Sequence, residues 1–204
     1  EIGEYSKKDY LQQTREFEKK FKEFFDNIWS LHKKIETPEE FYQIFDEDLP
    51  KVSIITPTYN RSHFFKLAIR NFQKADYPSD KLEWIIIDDS DTDSVQDLLP
   101  DNKNINYIKL NERHSIGEKR NIGVENAQND IIVCMDDDDY YHPGSIKYRV
   151  ACLEHLNKQV VGCTSMGVLD INKIISNMSV SSFIQEYHLR AYESSFAFRK
   201  SYAL

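Results

Sequence analysis

Four consecutive aspartates, Asp136 to Asp139, follow the apolar run Ile131 to Met135 and lead into Tyr140-Tyr141-His142-Pro143. Like charges so close raise one another's pKa unless a cation relieves them, so the run predicts a bound divalent metal. Hard oxygen ligands suit Mg²⁺ or Mn²⁺, ions that keep coordination positions open for substrate phosphates. A solvated acidic loop is the plain alternative, and the tight coupling to an apolar run weighs against it. An EF-hand fails: Asp89-x-Asp91-x-Asp93 has Ser94 where the loop needs Gly and Pro100 where it needs Glu.

These aspartates need elements to hold them. Strand-length apolar runs fall at Val52 to Thr56, Trp84 to Asp88, Tyr107 to Leu110 and Ile131 to Met135, and helical patterns at Ser62 to Lys74, Glu118 to Asn126 and Gly144 to Asn157. Buried strands alternating with helices predict an α/β fold with a mostly parallel, Rossmann-like central sheet flanked by helices. The stretch from Val160 onward predicts two more strands, in a hairpin turning near Asn172.

In an open α/β sheet, ligands gather where the parallel strands end at their carboxyl side. The first strand ends in Thr56-Pro57-Thr58-Tyr59-Asn60-Arg61, the second in Asp88-Asp89-Ser90-Asp91 and the fourth in the aspartate run. Two acidic tips and an aromatic one are therefore expected on one edge.

Ahead of this unit, Tyr5 to about Ile35 contains no Gly after Gly3 and no Pro, and Phe17, Phe21, Phe24, Ile28, Leu31 and Ile35 step by 4, 3, 4, 3, 4. The spacing predicts a long helix whose apolar stripe docks on the chain's own domain, on a second helix or on a partner in an oligomer. Thr37-Pro38-Glu39-Glu40 predicts a second, short helix over 38–46. The expected organisation is a helical extension over 1–48 and an α/β domain over 51–204, divided into a core at 51–150 and a following part at 151–204.

The net charge of −8 has the wrong sign for wrapping nucleic-acid phosphate, and no apolar run reaches the roughly 20 residues of a membrane span. Cys134, Cys152 and Cys163 have no C-x-x-C spacing and sit in apolar stretches, which suggests packed, reduced thiols and a cytoplasmic location.

VSIITPTYNR, WIIIDDSD and GEKRNIGVENAQNDIIVCMDDDDYYHPGS, in that order, resemble the nucleotide-sugar-binding core of family 2 glycosyltransferases with the GT-A fold. The resemblance covers roughly 51–150, with a weaker extension to about 200. It implies that the D-x-D motif falls on Asp136-x-Asp138, with Asp138 the direct metal ligand, Asp136 beside it near the donor ribose, Asp137 also on the donor side and Asp139 behind them. It further implies that Pro57 and Tyr59 line the donor, the Tyr59 ring stacking on the base, and that Asp89 accepts the imide N–H of a uracil or thymine. In Gly117-Glu118-Lys119-Arg120, the resemblance brings a basic residue to the donor; Arg120 is chosen over Lys119 for its planar fork. Glu193, ahead of Ser194-Ser195-Phe196-Ala197-Phe198-Arg199, resembles the carboxylate that deprotonates an acceptor hydroxyl.

The expected function is thus an inverting, Mn²⁺- or Mg²⁺-dependent transfer of a sugar from a nucleoside diphosphate sugar, a UDP-sugar above others, to a glycan or other hydroxyl acceptor. A catalytically silent nucleotide-sugar-binding or assembly module remains open as an alternative. So does a nucleotidyltransferase of related fold, although Thr56 to Arg61 lacks the glycines its phosphate loop would need.

Overall fold

The computed structural model describes residues 48–163, 166–170, 175–179 and 191–203. The expected N-terminal helices lie outside the described residues. Eight strands and four α-helices follow in chain order among the described residues: β1 Val52–Thr58, α1 Ser62–Lys74, β2 Leu82–Asp88, β3 Ile105–Lys109, α2 Ile116–Asn126, β4 Ile131–Cys134, α3 Ser145–His155, β5 Val160–Val161, β6 Met166–Asp170, β7 Ile175–Ser179, β8 Ala197–Arg199 and α4 Lys200–Ala203.

The main sheet has the order β3-β2-β1-β4-β8-β5, with β1 to β4 mutually parallel and β8 antiparallel to both β4 and β5. From β1 the chain builds outward through β2 to β3, then crosses back to lay β4 on the other side of β1. That reversal makes the carboxyl ends of β1 and β4 the natural crevice of the sheet.

Every residue of β1, β2 and β4 is buried, the pattern of strands covered on both faces. Their side chains alternate between two cores. Ile54, Trp84, Ile86 and Val133 join Phe65 and Ala68 of α1 and Val150 and Leu153 of α3, while Ile55, Ile85, Ile87 and Ile132 join Val124 of α2. A fully buried isoleucine contributes about 1.5–3 kcal/mol, so these strands anchor the domain. Trp84 stacks on Phe65 and Phe72, and its indole N–H donates to Thr56 Oγ1 at 2.9 Å.

Local signals set the helix ends. Ser115 and Glu118 form a reciprocal capping box at the start of α2. Gly123 lets that helix touch the sheet, since a Cβ there would lie 2.7 Å from Ile55 Cγ2. At α1 the cap comes from a distant residue: the Ser62 amide donates to Asp93 Oδ2 at 3.0 Å.

The parallel α/β expectation holds, and α1 has the expected bounds. Beyond α3 the structure differs from the sequence reading. The expected strand after Val160 is split, β5 entering the main sheet and β6 pairing antiparallel with β7, while the turn expected near Asn172 lies outside the described residues. The break leaves Cys163 exposed, contrary to the expectation of a packed thiol; Cys134 is buried and Cys152 half-buried. β8 was not anticipated, because three residues carry too little pattern to read. Among the described residues, no helix is long and apolar enough to cross a membrane.

Candidate active site

At the end of β1, Pro57 and Thr58 are buried and the chain turns at Asn60, whose φ of 49° lies in the left-handed region that Asn tolerates better than most residues. Asn60 ties this turn to the end of β2. Its amide donates to Ser90 Oγ at 2.7 Å, its Nδ2 donates to Asp91 Oδ1 at 2.5 Å, and its Oδ1 accepts from the Thr92 and Asp93 amides. Tyr59 is thereby held beside the second strand end.

Asp88 and Asp89 do different work there. Asp88 is an internal support: its carboxylate accepts from the Ser90 and Val95 amides and from the Ser94 and Tyr107 hydroxyls. Asp89, 4% exposed, accepts from Lys119 Nζ at 2.7 Å, Arg113 Nη1 at 3.0 Å and the His114 amide at 2.8 Å. Burial pushes both carboxyls up, but these bonds, joined at Asp89 by the Lys119 and Arg113 charges, outweigh it and hold both below the ordinary Asp value.

The aspartate run after β4 is less well compensated. Asp137, 3% exposed, accepts from Thr58 Oγ1 at 2.6 Å and Arg61 Nη1 at 3.1 Å, and the same nitrogen reaches exposed Asp138 Oδ2 at 2.6 Å. Burial wins here, and the pKa values of Asp137 and Asp139 are raised. Asp136 accepts from Arg120 Nη2 with both oxygens, at 3.1 and 3.3 Å, and Arg120 also pairs with Glu193.

Pro57, Tyr59, Asp136, Asp137 and Asp138 come together in one cleft of about 110 Å³, whose wall includes Arg61, Arg113 and Lys119. Asp89 lies behind the wall, reached through Lys119. Arg120 and Glu193 do not line the cleft; they join it from the Asp136 side through the Arg120 fork. The volume is small beside the roughly 300–1,000 Å³ of sites that enclose ligands. Two guanidinium groups crowd it: Arg113 lies 3.4 Å from the centroid of the Tyr59 ring, and Arg61 bridges Asp137 and Asp138.

The donor set fits a hard divalent ion completed by substrate. Among the described residues, no group of three or more His, Cys, Asp or Glu is arranged to hold a metal alone. Mg²⁺ commonly uses one or two carboxylates with substrate phosphates, and Asp138, drawn to the Arg61 cation, presents a carboxylate of that kind.

Sequence reasoning missed Arg61, Arg113 and Thr58 and passed over Lys119. Arg61 stood in the quoted first-strand motif, adjacent to Asn60, but nothing local shows that it reaches a loop 77 residues away. Lys119 had a weak signal, since a lysine one position from the chosen arginine faces another side of the same helix, and here that side is buried.

A family model described as "Glycosyl transferase family 2" matches residues 53–200. Among curated relatives, poly(ribitol-phosphate) beta-N-acetylglucosaminyltransferase TarS of Staphylococcus aureus is 25% identical over 122 residues, 58% of this chain and 21% of the relative. GalNAc(5)-diNAcBac-PP-undecaprenol beta-1,3-glucosyltransferase of Campylobacter jejuni is 34% identical over 104 residues, 48% of this chain and 33% of the relative. The chain therefore spans a fifth to a third of the length of these relatives. Among solved structures, S. aureus TarS 1-349 in complex with UDP-GlcNAc matches with a TM-score of 0.56 at 21% identity, covering 74% of this chain and 46% of that one. Mannosyltransferase PcManGT from Pyrobaculum calidifontis, in complex with GDP-Man and Mn²⁺, matches with a TM-score of 0.53 at 21% identity, covering 80% and 48%. At such identities the structural likeness shows the fold.

Proposed function

Because the chain belongs to glycosyl transferase family 2, we propose that its cleft binds a nucleoside diphosphate sugar, a UDP-sugar above others, and transfers the sugar with inversion to a glycan or other hydroxyl acceptor. The observation that carries this reading is the meeting of the Tyr59 ring with the Asp136, Asp137 and Asp138 carboxylates in one cleft at the β1/β4 crossover. The relatives' named activities and the UDP-GlcNAc complex of TarS support the same reading.

Donor entry requires Arg113 to leave the Tyr59 ring, which then stacks on the base. Its departure also vacates one acceptor position on Asp89 Oδ1 for a pyrimidine N–H, while Lys119 Nζ keeps its bond to the same oxygen. A divalent ion on Asp138 and Asp136 would neutralise the diphosphate as it leaves. Arg120, positioned between Asp136 and Glu193, turns its fork to phosphate oxygens, and Glu193 is released to take the proton of the acceptor hydroxyl. The acceptor oxygen attacks the sugar from the face opposite the departing nucleoside diphosphate, which inverts the anomeric centre.

The test is a thermal-shift titration with UDP and several nucleotide sugars, with and without Mn²⁺, on the parent and on Asp138→Asn. UDP should stabilise the parent more strongly with Mn²⁺, and Asp138→Asn should lose that Mn²⁺-dependent part while keeping the parent's melting temperature without ligand. A parent that responds to no nucleotide overturns the reading. Binding without transfer to any acceptor would favour the silent binding module.

A further inference from the structure

Besides a hydrogen bond between Asp139 and Ser194, two links, both at Asp136, join the acidic loop to the turn that carries Glu193. One link is Arg120, between the side chains of Asp136 and Glu193. The other is the Tyr141 hydroxyl, which accepts from the Asp136 amide at 2.9 Å and donates to the Ser194 carbonyl at 2.9 Å. The first link uses an exposed glutamate and an arginine that diphosphate would draw away. The second runs from backbone to backbone and involves no net charge.

Tyr141 is itself held from two helices. Asn71 of α1, 5% exposed, accepts from the Tyr141 amide at 3.3 Å and donates to the Asp139 carbonyl at 2.8 Å, fixing the turn after the aspartates. Arg149 of α3 lies 5.4 Å from the Tyr141 ring centroid, and its Nη1 donates to the Cys134 and Phe196 carbonyls at 2.8 and 3.3 Å. Those carbonyls close β4 and follow the Glu193 turn, so the same arginine clamps both segments. An arginine is seldom buried without a carboxylate partner, because desolvating its charge is costly; burial here lowers the Arg149 pKa. A cost accepted at this point marks a junction whose geometry matters.

We infer that Tyr141 is a positioning residue that keeps the Glu193 turn at a fixed place relative to Asp136 when ligand binding draws Arg120 off Glu193. The inference rests on the proposed function for its catalytic meaning, while the mechanical coupling stands on the hydrogen bonds alone. The hydroxyl acts through Glu193 and touches neither donor nor acceptor.

Tyr141→Phe in the full chain tests it, because the ring and its Arg149 contact are kept. By hydrogen exchange, the Ser195 and Phe196 amides, which donate to the Tyr192 and Glu193 carbonyls, should exchange about tenfold faster, while β1 and β2 amides keep their protection. In transfer assays, kcat should fall by about tenfold with donor KM within about threefold, and the loss should vanish in a Glu193→Gln background, as expected when one residue acts through another. Unchanged exchange at Ser195 and Phe196 overturns the inference, as does an equal kcat loss in both backgrounds or a loss of protection throughout β1 and β2. If the parent transfers no sugar from any nucleotide donor, the proposed function falls, and the exchange result still decides the role of Tyr141.

Discussion

At the end of β2, buried Asp89 receives an ammonium at 2.7 Å, a guanidinium at 3.0 Å and a backbone amide at 2.8 Å. At the end of β4, Asp137 is just as buried but draws on a neutral hydroxyl at 2.6 Å and shares one guanidinium nitrogen with Asp138. Both are aspartates at the carboxyl ends of parallel strands, a few residues from glycosyl-transfer chemistry in the proposed reading. Their surroundings push their protonation in opposite directions, down at Asp88 and Asp89 and up at Asp137 and Asp139. Burial alone does not decide what a carboxylate is for. At the β2 end the hydrogen bonds and charges outweigh burial, whereas at the β4 end burial outweighs the hydroxyl and guanidinium partners.

The comparison can be broken most sharply at the β4 side, where Arg120 links Asp136 to Glu193. If Glu193 is the base, Glu193→Gln should reduce transfer by about 10²- to 10⁴-fold and leave UDP affinity almost unchanged. Turnover with a competent acceptor, beside a UDP binding isotherm, checks it. Lost UDP affinity would place Glu193 with the structural carboxylates instead.

The β2 side should answer in stability. Lys119 and Asp89 have side chains 3% and 0% exposed, so Lys119→Met leaves a buried carboxylate short of its nearest cation. Removing one partner of a buried pair costs about 3–5 kcal/mol, which chemical denaturation would register. The Lys119 ammonium also donates to the Thr58 carbonyl at 2.9 Å, so the variant should disturb the floor of the cleft as well. A loss below about 1 kcal/mol, the range of exposed pairs, would show that Arg113 and the His114 amide suffice and that the saturation of this end is redundant.

The smallest effect is also the one that separates the two ends by sign. Asp137 and Asp139 have folded pKa values above the unfolded value of about 3.9, so their folded forms bind protons first and stability should rise as pH falls through those raised values. Asp88 and Asp89 have folded values below it. Their contribution is complete above about 3.9 and is lost as pH falls through the depressed values. Urea midpoints against pH should therefore show a shallow rise toward acid and then a fall. Asp137→Asn should flatten the rise and spare the fall. A monotonic decline from neutral pH in the parent would mean that the β4 end is no more strained than the β2 end.

Much of the scaffold was legible because it is written in local periodicity. Apolar runs of strand length, the 62–74 helix and the aspartates following an apolar run are all local signals, while the Ser115 and Glu118 capping box went unread. The motifs around Tyr59, Asp89 and Asp136 pointed to one sheet edge for the same reason, since a parallel α/β alternation sends every strand end the same way. β8 escaped because a three-residue strand has almost no period, and the split after β5 because an apolar run looks alike whether it serves one sheet or two.

What the sequence by itself determined was therefore the inventory and its edge: an α/β sheet with an aromatic tip and two acidic tips on one side. Tertiary structure decided which charge meets which. Arg61 reaches Asp138 across 77 positions, Lys119 reaches Asp89 across 30, and Arg120 reaches Glu193 across 73. No spacing rule links residues so far apart, because their meeting depends on strand order and on the crossover between β1 and β4. Since the field at a buried carboxylate falls off with distance and grows as water is excluded, those pairings and the depth of burial, rather than the aspartates themselves, settle at which end the carboxyl pKa values fall and at which they rise.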